Sequence, residues 1–243
     1  MKKILSVIIG STIASTSIAQ QKNVSDRVGY IDVAYTMGSS RNIVAASYVH
    51  NWRVGAKGKW QLGIGGRLTS SIGTKQAYIT APARLARTST IPFLVVFSGQ
   101  NIQNWDTLTV QRPWINSVNL SFNVLYQFAR HWAAGFNIDV IGFSVGRNSA
   151  AILTSNGATR TEPLAKPAAF NLLLTGDLDH GSLNSEFFIR YQFKGKWGVR
   201  VIYQFLFNEY KITSIFQTAP DGTMVNRFRS KTNNLGIGIS YLL

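Results

Sequence analysis

The sequence predicts an all-β chain: a transmembrane, antiparallel, up-and-down β-barrel of eight strands, or ten if one loop hairpin also enters the bilayer. Three observations predict it. Apolar and polar residues alternate over segments of about ten residues, the period of a strand with two unlike faces. The chain is 45% hydrophobic but only 14% charged, against about 25% charged in ordinary soluble domains. Beyond the first twenty residues, no apolar run reaches the roughly 20 residues that a membrane helix needs. A closed barrel reconciles these, because only every second residue of its strands meets lipid.

The first segment is an address and lies outside the fold. Met1, Lys2 and Lys3 give a positive start, residues 4–14 a short apolar stretch, and Ser17-Ile18-Ala19 small residues at the −3 and −1 positions. That is the pattern of a secretory signal peptide over 1–19, leaving 20–243 as the barrel domain. The stretch is too short to span ~30 Å of hydrocarbon. There are no cysteines, which excludes disulfides, a lipid-modified N-terminal Cys and a thiolate zinc site. Net charge is +15, or +13 without Lys2 and Lys3. Nucleic-acid binding would need those charges gathered on a recognisable module, and none is visible. Attraction to anionic lipid head groups fits the surplus better.

Eight segments alternate. Ile31, Val33 and Tyr35 oppose Tyr30 and Asp32. Val44, Ala46, Tyr48 and Trp52 oppose Ser47, Asn51 and Arg53. Trp60, Leu62, Ile64 and Leu68 alternate with Gln61, Gly63, Gly65 and Arg67. Val118, Leu120, Phe122, Val124, Tyr126 and Phe128 alternate with Ser117, Asn119, Ser121, Asn123 and Gln127. Phe136, Ile138 and Val140 alternate with Asn137 and Asp139. Phe187, Ile189, Tyr191 and Phe193 alternate with Glu186, Phe188, Arg190 and Gln192. Trp197, Val199, Val201, Tyr203, Phe205 and Phe207 alternate with Gly198, Arg200, Gln204 and Asn208. Leu235, Ile237, Ile239, Tyr241 and Leu243 alternate with Asn234, Gly236, Gly238 and Ser240. The first set of each suits lipid, the second a packed polar lumen.

The connections sort into two ends. Three are short and alike, with basic residues, then a Trp, then a new strand: Lys57-Gly58-Lys59-Trp60, Arg130-His131-Trp132 and Lys194-Gly195-Lys196-Trp197. Trp60, Trp132 and Trp197 are candidates for an aromatic girdle at one membrane–water interface. The other connections are 38–42, 72–113, 146–181 and 213–229. Short turns on the periplasmic side and long loops outside are the asymmetry of outer-membrane barrels.

Alternation also sends charges inward: Asp32, Arg53, Arg67, Asp139, Glu186, Arg190 and Arg200. Eight strands leave room for side chains and no wide channel. Such charges should pair, because an unpaired buried charge is costly. Gly63, Gly65, Gly135, Gly198, Gly236 and Gly238 share that face and leave space beside long side chains.

With its strand–Lys-Gly-Lys-Trp–strand hairpins and its closing run from Asn234 to Leu243, the chain resembles small outer-membrane β-barrels of the OmpA/OmpX type, and most of all the barrel family common in Bacteroidota. The resemblance implies a Gram-negative outer membrane and a C-terminal strand read by the barrel-assembly machinery. The last position departs from the proteobacterial pattern, with Leu243 where an aromatic residue is common.

Any particular chemistry should sit in the long loops. Apolar residues 91–97 are placed to pair with Thr107 to Val110 as an extra hairpin, above the bilayer or over the mouth. Asp177, Asp179 and His180, next to Glu186, include divalent-cation ligand types but match no defined motif. His180 near Ser182 and Ser185 is the one outer-rim pair for a lipid-modifying enzyme. His131 falls in a periplasmic turn and His50 on the lipid-facing register. Arg84, Arg87, Arg112, Arg147, Arg227 and Arg229 are candidates for contact with lipopolysaccharide phosphates. The expected function is therefore a non-enzymatic integral scaffold with binding loops, needing no cofactor or metal. A small pore and a lipid-modifying enzyme are the alternatives.

Overall fold

A computed structural model describes residues 27–243 apart from Pro92, Phe93, Val95, Val96 and Thr175. The segment read as a signal peptide lies outside the described residues. The chain is almost entirely antiparallel β. Eight long strands carry it: β1 (Arg27–Gly38), β2 (Arg41–Val54), β3 (Trp60–Gly73), β6 (Trp114–Gln127), β7 (Trp132–Gly146), β11 (Leu183–Gln192), β12 (Trp197–Lys211) and β15 (Arg227–Leu242). Shorter strands lie between them: β4 (Lys75–Thr80), β5 (Thr107–Gln111), β8 (Ser149–Ser155), β9 (Ala158–Pro167), β10 (Phe170–Leu172) and the pair β13 (Gln217–Thr218) and β14 (Met224–Val225). Among the described residues, no helix is long and apolar enough to cross a membrane.

The long strands pair in sequence, each with the next, and β15 returns to β1. The circuit is closed, so its backbone groups find partners within the wall and no edge is left to template aggregation. Gly58 and Gly195 serve its short turns with φ of 57° and 97°, a conformation glycine adopts without steric cost. One irregularity interrupts the ladder. Between β6 and β7, Leu120 faces Ile141 and Ser121 faces Asp139, so Val140 is an extra residue. This bulge keeps Asp139 inside while Val140 and Ile141 both lie on the exposed side.

The sheet is larger than the sequence suggests. Among the described residues it holds 13 strands in one hydrogen-bonded network, so a count of eight or ten is too small. The residues read as two long loops supply β4, β5, β8 and β9. These run β15–β4–β5–β8–β9–β12 and make a second closed circuit on the shared β12–β15 ladder. At its level β4 replaces β1 beside β15, and β9 replaces β11 beside β12. Thr107 to Val110 does form a strand, and its two edges are taken by β4 and β8.

The two circuits are filled differently. The interior of the long circuit is polar: Asn51, Gln61, Arg67, Asn119, Asn123, Asn137 and Gln204 are all buried. The interior of the second, which we call the cap, is apolar: Tyr78, Leu108, Val110, Leu153, Tyr210, Ile212 and Phe228 form one buried cluster. Burying a side chain of that size stabilises by about 1.5–3 kcal/mol, so the cap holds together as a soluble domain does. Glu162 ties the last loop to it by accepting the backbone N–H groups of Ser214 at 2.9 Å and Ile215 at 3.2 Å. Those bonds hold its carboxyl below the usual range, although burial pushes the other way.

Candidate functional site

Three groupings of functional side chains arise from this frame. The first runs through the lumen. Asp32 on β1 lies 3.3 Å from Arg190 and 3.6 Å from Arg200. Arg200 continues to Glu186 at 3.9 Å, Glu186 to Arg67 at 3.7 Å, and Arg67 to Asp139 at 3.2 Å. The network thus balances Asp32, Asp139 and Glu186 against Arg67, Arg190 and Arg200, all of them buried. Asn119 donates to Asp139 at 2.7 Å and helps satisfy it. Beside this network the lumen is packed with Ala34, Leu125, Ala133, Phe188 and Ile202. The Phe188 ring carries Arg200 at 4.8 Å and Arg190 at 5.3 Å from its centroid, contacts that favour a cation over an aromatic face. Arg53 stands apart from the network and lines a cavity at the short-turn end.

The second grouping sits at the long-loop end, on the outward side of the β12–β15 ladder. Glu209 accepts from Arg227 at 2.8 Å, from Arg229 at 2.6 Å and from the Gly181 backbone N–H at 2.9 Å. Asp177 pairs with Arg229 at 3.4 Å and also with Arg87 and Lys231. Three arginines expected to face lipopolysaccharide are therefore covered: Arg229 is 2% exposed, and Arg87 and Arg227 are half-buried. The reason is the loop between β10 and β11, which folds down over the wall and brings Asp177 to them. Burial raises the Asp177 carboxyl, but Lys231, Arg87 and Arg229 together outweigh it and hold it below its ordinary value. Asp179 is pushed up by burial. Burial and then Arg227 push the His180 imidazole down.

Asp177, Asp179 and His180 do not assemble a cation site, and no group of three such side chains does so among the described residues. His180 Nε2 lies 3.3 Å from Arg227, and no hydrogen bond joins it to Ser182 or Ser185 among the described residues. Glu209 and Lys231 were missed from sequence. Continued past Phe207, the alternation of β12 puts Glu209 on the outward side, and only the covering loop makes it a buried anchor.

The third grouping is a groove of about 710 Å3 on the outer wall at the level where loops begin, lined by Ile72, Lys75, Gln111, Arg112, Trp114 and Arg147 among others. Among the described residues its charged lining is wholly basic. Arg147 stacks 5.9 Å from the Trp114 ring centroid, and Trp114 donates its indole N–H to Ser70 at 3.1 Å. Arg112 holds a left-handed φ of 45°, uncommon outside glycine and asparagine. Arg112 and Arg147 are thus brought together, with Lys75 as a third cation. Arg84 stays at the surface, paired with Asp221 at 2.8 Å.

At the short-turn end Trp60, Trp132 and Trp197 are 50%, 44% and 57% exposed. Each has a cross-strand tyrosine beside it: Tyr126 at 4.6 Å, Tyr191 at 4.9 Å and Tyr241 at 4.9 Å between centroids. Paired aromatics of this kind were not foreseen from the three tryptophans alone.

No family model matches the chain, and no curated protein matches it. Solved structures that resemble it include Neisserial surface protein A, at 8% identity over 89% of this chain and 97% of that chain, with a TM-score of 0.35. Ail, the attachment invasion locus protein of Yersinia pestis, matches at 8% identity over 88% of this chain and 95% of that one, with a TM-score of 0.33. A FadL homologue of Pseudomonas aeruginosa matches at 8% identity over 89% and 90%, with a TM-score of 0.22. At such scores the ground for reading function is the geometry above.

Proposed function

We propose that the circuit of eight long strands spans the outer membrane of a Gram-negative cell. In this reading the chain is a non-enzymatic scaffold that holds the cap outside and grips lipopolysaccharide phosphates with Lys75, Arg112 and Arg147. One observation carries the placement: polarity inverts along single strands. On β12 the outward residues run Trp197, Val199, Val201, Tyr203, Phe205 and Phe207, then change to Glu209 and Lys211. The paired outward residues of β15 run Tyr241, Ile239, Ile237 and Leu235, then change to Asn233, Lys231, Arg229 and Arg227. The inward face of β15 changes the other way, from Ser240, Asn234 and Ser230 to Phe228, which pairs with Tyr210. An apolar outside with a polar inside suits lipid, and an apolar inside suits water. The ten steps from Trp197 to Phe207 cover about 34 Å at about 3.4 Å per residue. At a tilt of about 40° that is a band roughly 25 Å tall, the height of an outer-membrane apolar belt.

The lumen supports a scaffold more than a pore, because Phe188, Ile202 and a charge-balanced network of salt bridges fill it. The export signal over 1–19 and the likeness to OmpA/OmpX-type and Bacteroidota barrels fit the same reading, with the assembly machinery as partner during biogenesis. The grip on lipopolysaccharide rests on three cations beside Trp114 at the outer end of the belt, where each is worth about 1 kcal/mol toward an anionic surface. Removing them by Lys75→Gln, Arg112→Asn and Arg147→Gln should therefore cost about 3 kcal/mol, roughly a hundredfold in affinity. Native mass spectrometry of the purified barrel with added lipid A reads this directly. Lipid A bound equally by the wild type and the triple variant would remove the groove from the account.

A further inference from the structure

We infer that the short-turn end of the barrel carries a second, separate anion site, selective for a phosphate-bearing group. A vestibule of about 280 Å3 opens there, and Arg53, Arg130, His131, Arg190, Gln127 and Gln192 are among its lining residues. Arg27 lies on its wall as well, and among the described residues no acidic side chain does. Its lining is therefore strongly cationic, at the opposite end of the long strands from the groove holding Lys75, Arg112 and Arg147.

The floor of this vestibule is Arg190, which is only 4% exposed. One of its nitrogens, Nη2, reaches Asp32 at 3.3 Å. The other two, Nε and Nη1, have no hydrogen-bond acceptor among the described residues, and neither does Nε of Arg53. Donors of a buried guanidinium are expensive to leave unmade, and beyond Asp32 and the neighbouring Tyr30 hydroxyl the described residues offer no group to take them. The guanidinium is also held in place. It stacks 4.0 Å from the Tyr30 ring centroid and 5.3 Å from that of Phe188, so its fork is preorganised and not left to swing. His131 adds a polar edge: Nδ1 bonds the Gln192 carbonyl at 2.9 Å and so carries the proton, which leaves Nε2 as the remaining polar atom of the ring.

An oxyanion with acceptors on several sides answers this arrangement. A guanidinium fork binds phosphate oxygens in pairs, and a cluster of several arginines suits a dianion better than a single carboxylate. The cavity takes a phosphate with a few carbon atoms attached and excludes anything the size of lipid A. Two sources present that chemistry on the inner side of an outer membrane: the head group of an anionic phospholipid and a soluble phosphate ester.

Isothermal titration calorimetry tests the site, with the full barrel in phosphate-free dodecyl maltoside and glycerol 3-phosphate as probe. Working in detergent, it does not depend on membrane orientation. Saturable binding is expected, weakened at least tenfold by Arg53→Gln and by Arg130→Gln, two rim substitutions that leave the Asp32–Arg190 pair intact. The groove variant lacking Lys75, Arg112 and Arg147 should bind as the wild type does. Nanodiscs of phosphatidylglycerol, compared with phosphatidylcholine, separate the sources: loss of the glycerol 3-phosphate signal in the former identifies a lipid head group, and its survival identifies a soluble ester. No saturable heat, or equal affinity in Arg53→Gln and Arg130→Gln, would overturn the proposal. Loss of binding in the groove variant would overturn it too, by placing the anion at the other end.

Discussion

Phe188 shows how single residues close the lumen. Its ring points at Gly135 on the neighbouring strand, so closely that a β-carbon there would stand 2.2 Å from Cζ. Gly135 is small because the ring already occupies the space its side chain would need. Gly135→Ala should therefore destabilise by about 1–3 kcal/mol through overpacking. Urea unfolding in phospholipid vesicles reads the loss, and adding Phe188→Leu should recover at least half of it. A Gly135→Ala barrel as stable as the wild type would mean that the ring moves freely. Alternation alone sets Asp32, Arg67, Asp139, Glu186, Arg190 and Arg200 on one face, and that much was legible. Which carboxylate meets which guanidinium was not, because Asp32 and Arg190 are brought together across 158 residues by closure of the wall. Arg53 has inward parity, yet its height along β2 puts it at the mouth.

Among the elements, the long strands were legible and the cap was not. Each of the eight long strands is ten or more residues long, room enough for alternation to rise above the noise of chance patterns. The strands β4, β5, β8 and β10 are three to seven residues long and β9 contains Pro163 and Pro167, so the period signal is too short to stand out. One local cue was present and unused. Asn156-Gly157 sits between β8 and β9 with φ of 49° and 79°, the two-residue turn favoured in β-hairpins. The loop that folds over the β12–β15 ladder is held by Asp177, whose carboxyl is kept below its ordinary value by its cationic neighbours. A depressed acid contributes stability above its unfolded pKa of about 3.9 and loses it as pH falls through the folded value. Asp179 has the opposite slope, because burial raises it. In an Asp179→Asn background, backbone protection of residues 176–181 in hydrogen exchange should thus hold from neutral pH to about 4 and fall below that. Asp177→Asn should weaken it at neutral pH by about 1–3 kcal/mol and flatten the dependence. Protection unchanged by Asp177→Asn would show that the loop is held by something else.

For the whole molecule, the central claim is that one continuous wall passes from lipid to water between Phe205 and Glu209 on β12, and between Leu235 and Asn233 on β15. The apolar exterior, polar lumen and apolar cap are consequences of that single boundary. Nitroxide scanning of the reconstituted barrel in liposomes tests it most directly, with labels at Val199, Val201, Leu235 and Ile237 and at Lys211, Lys231 and Asn233. The first four should relax with oxygen and ignore a water-soluble nickel chelate, and the last three should do the reverse. Equal access of the chelate to Val201 and Ile237 would contradict the account, because the apolar face of the long strands would then be facing water.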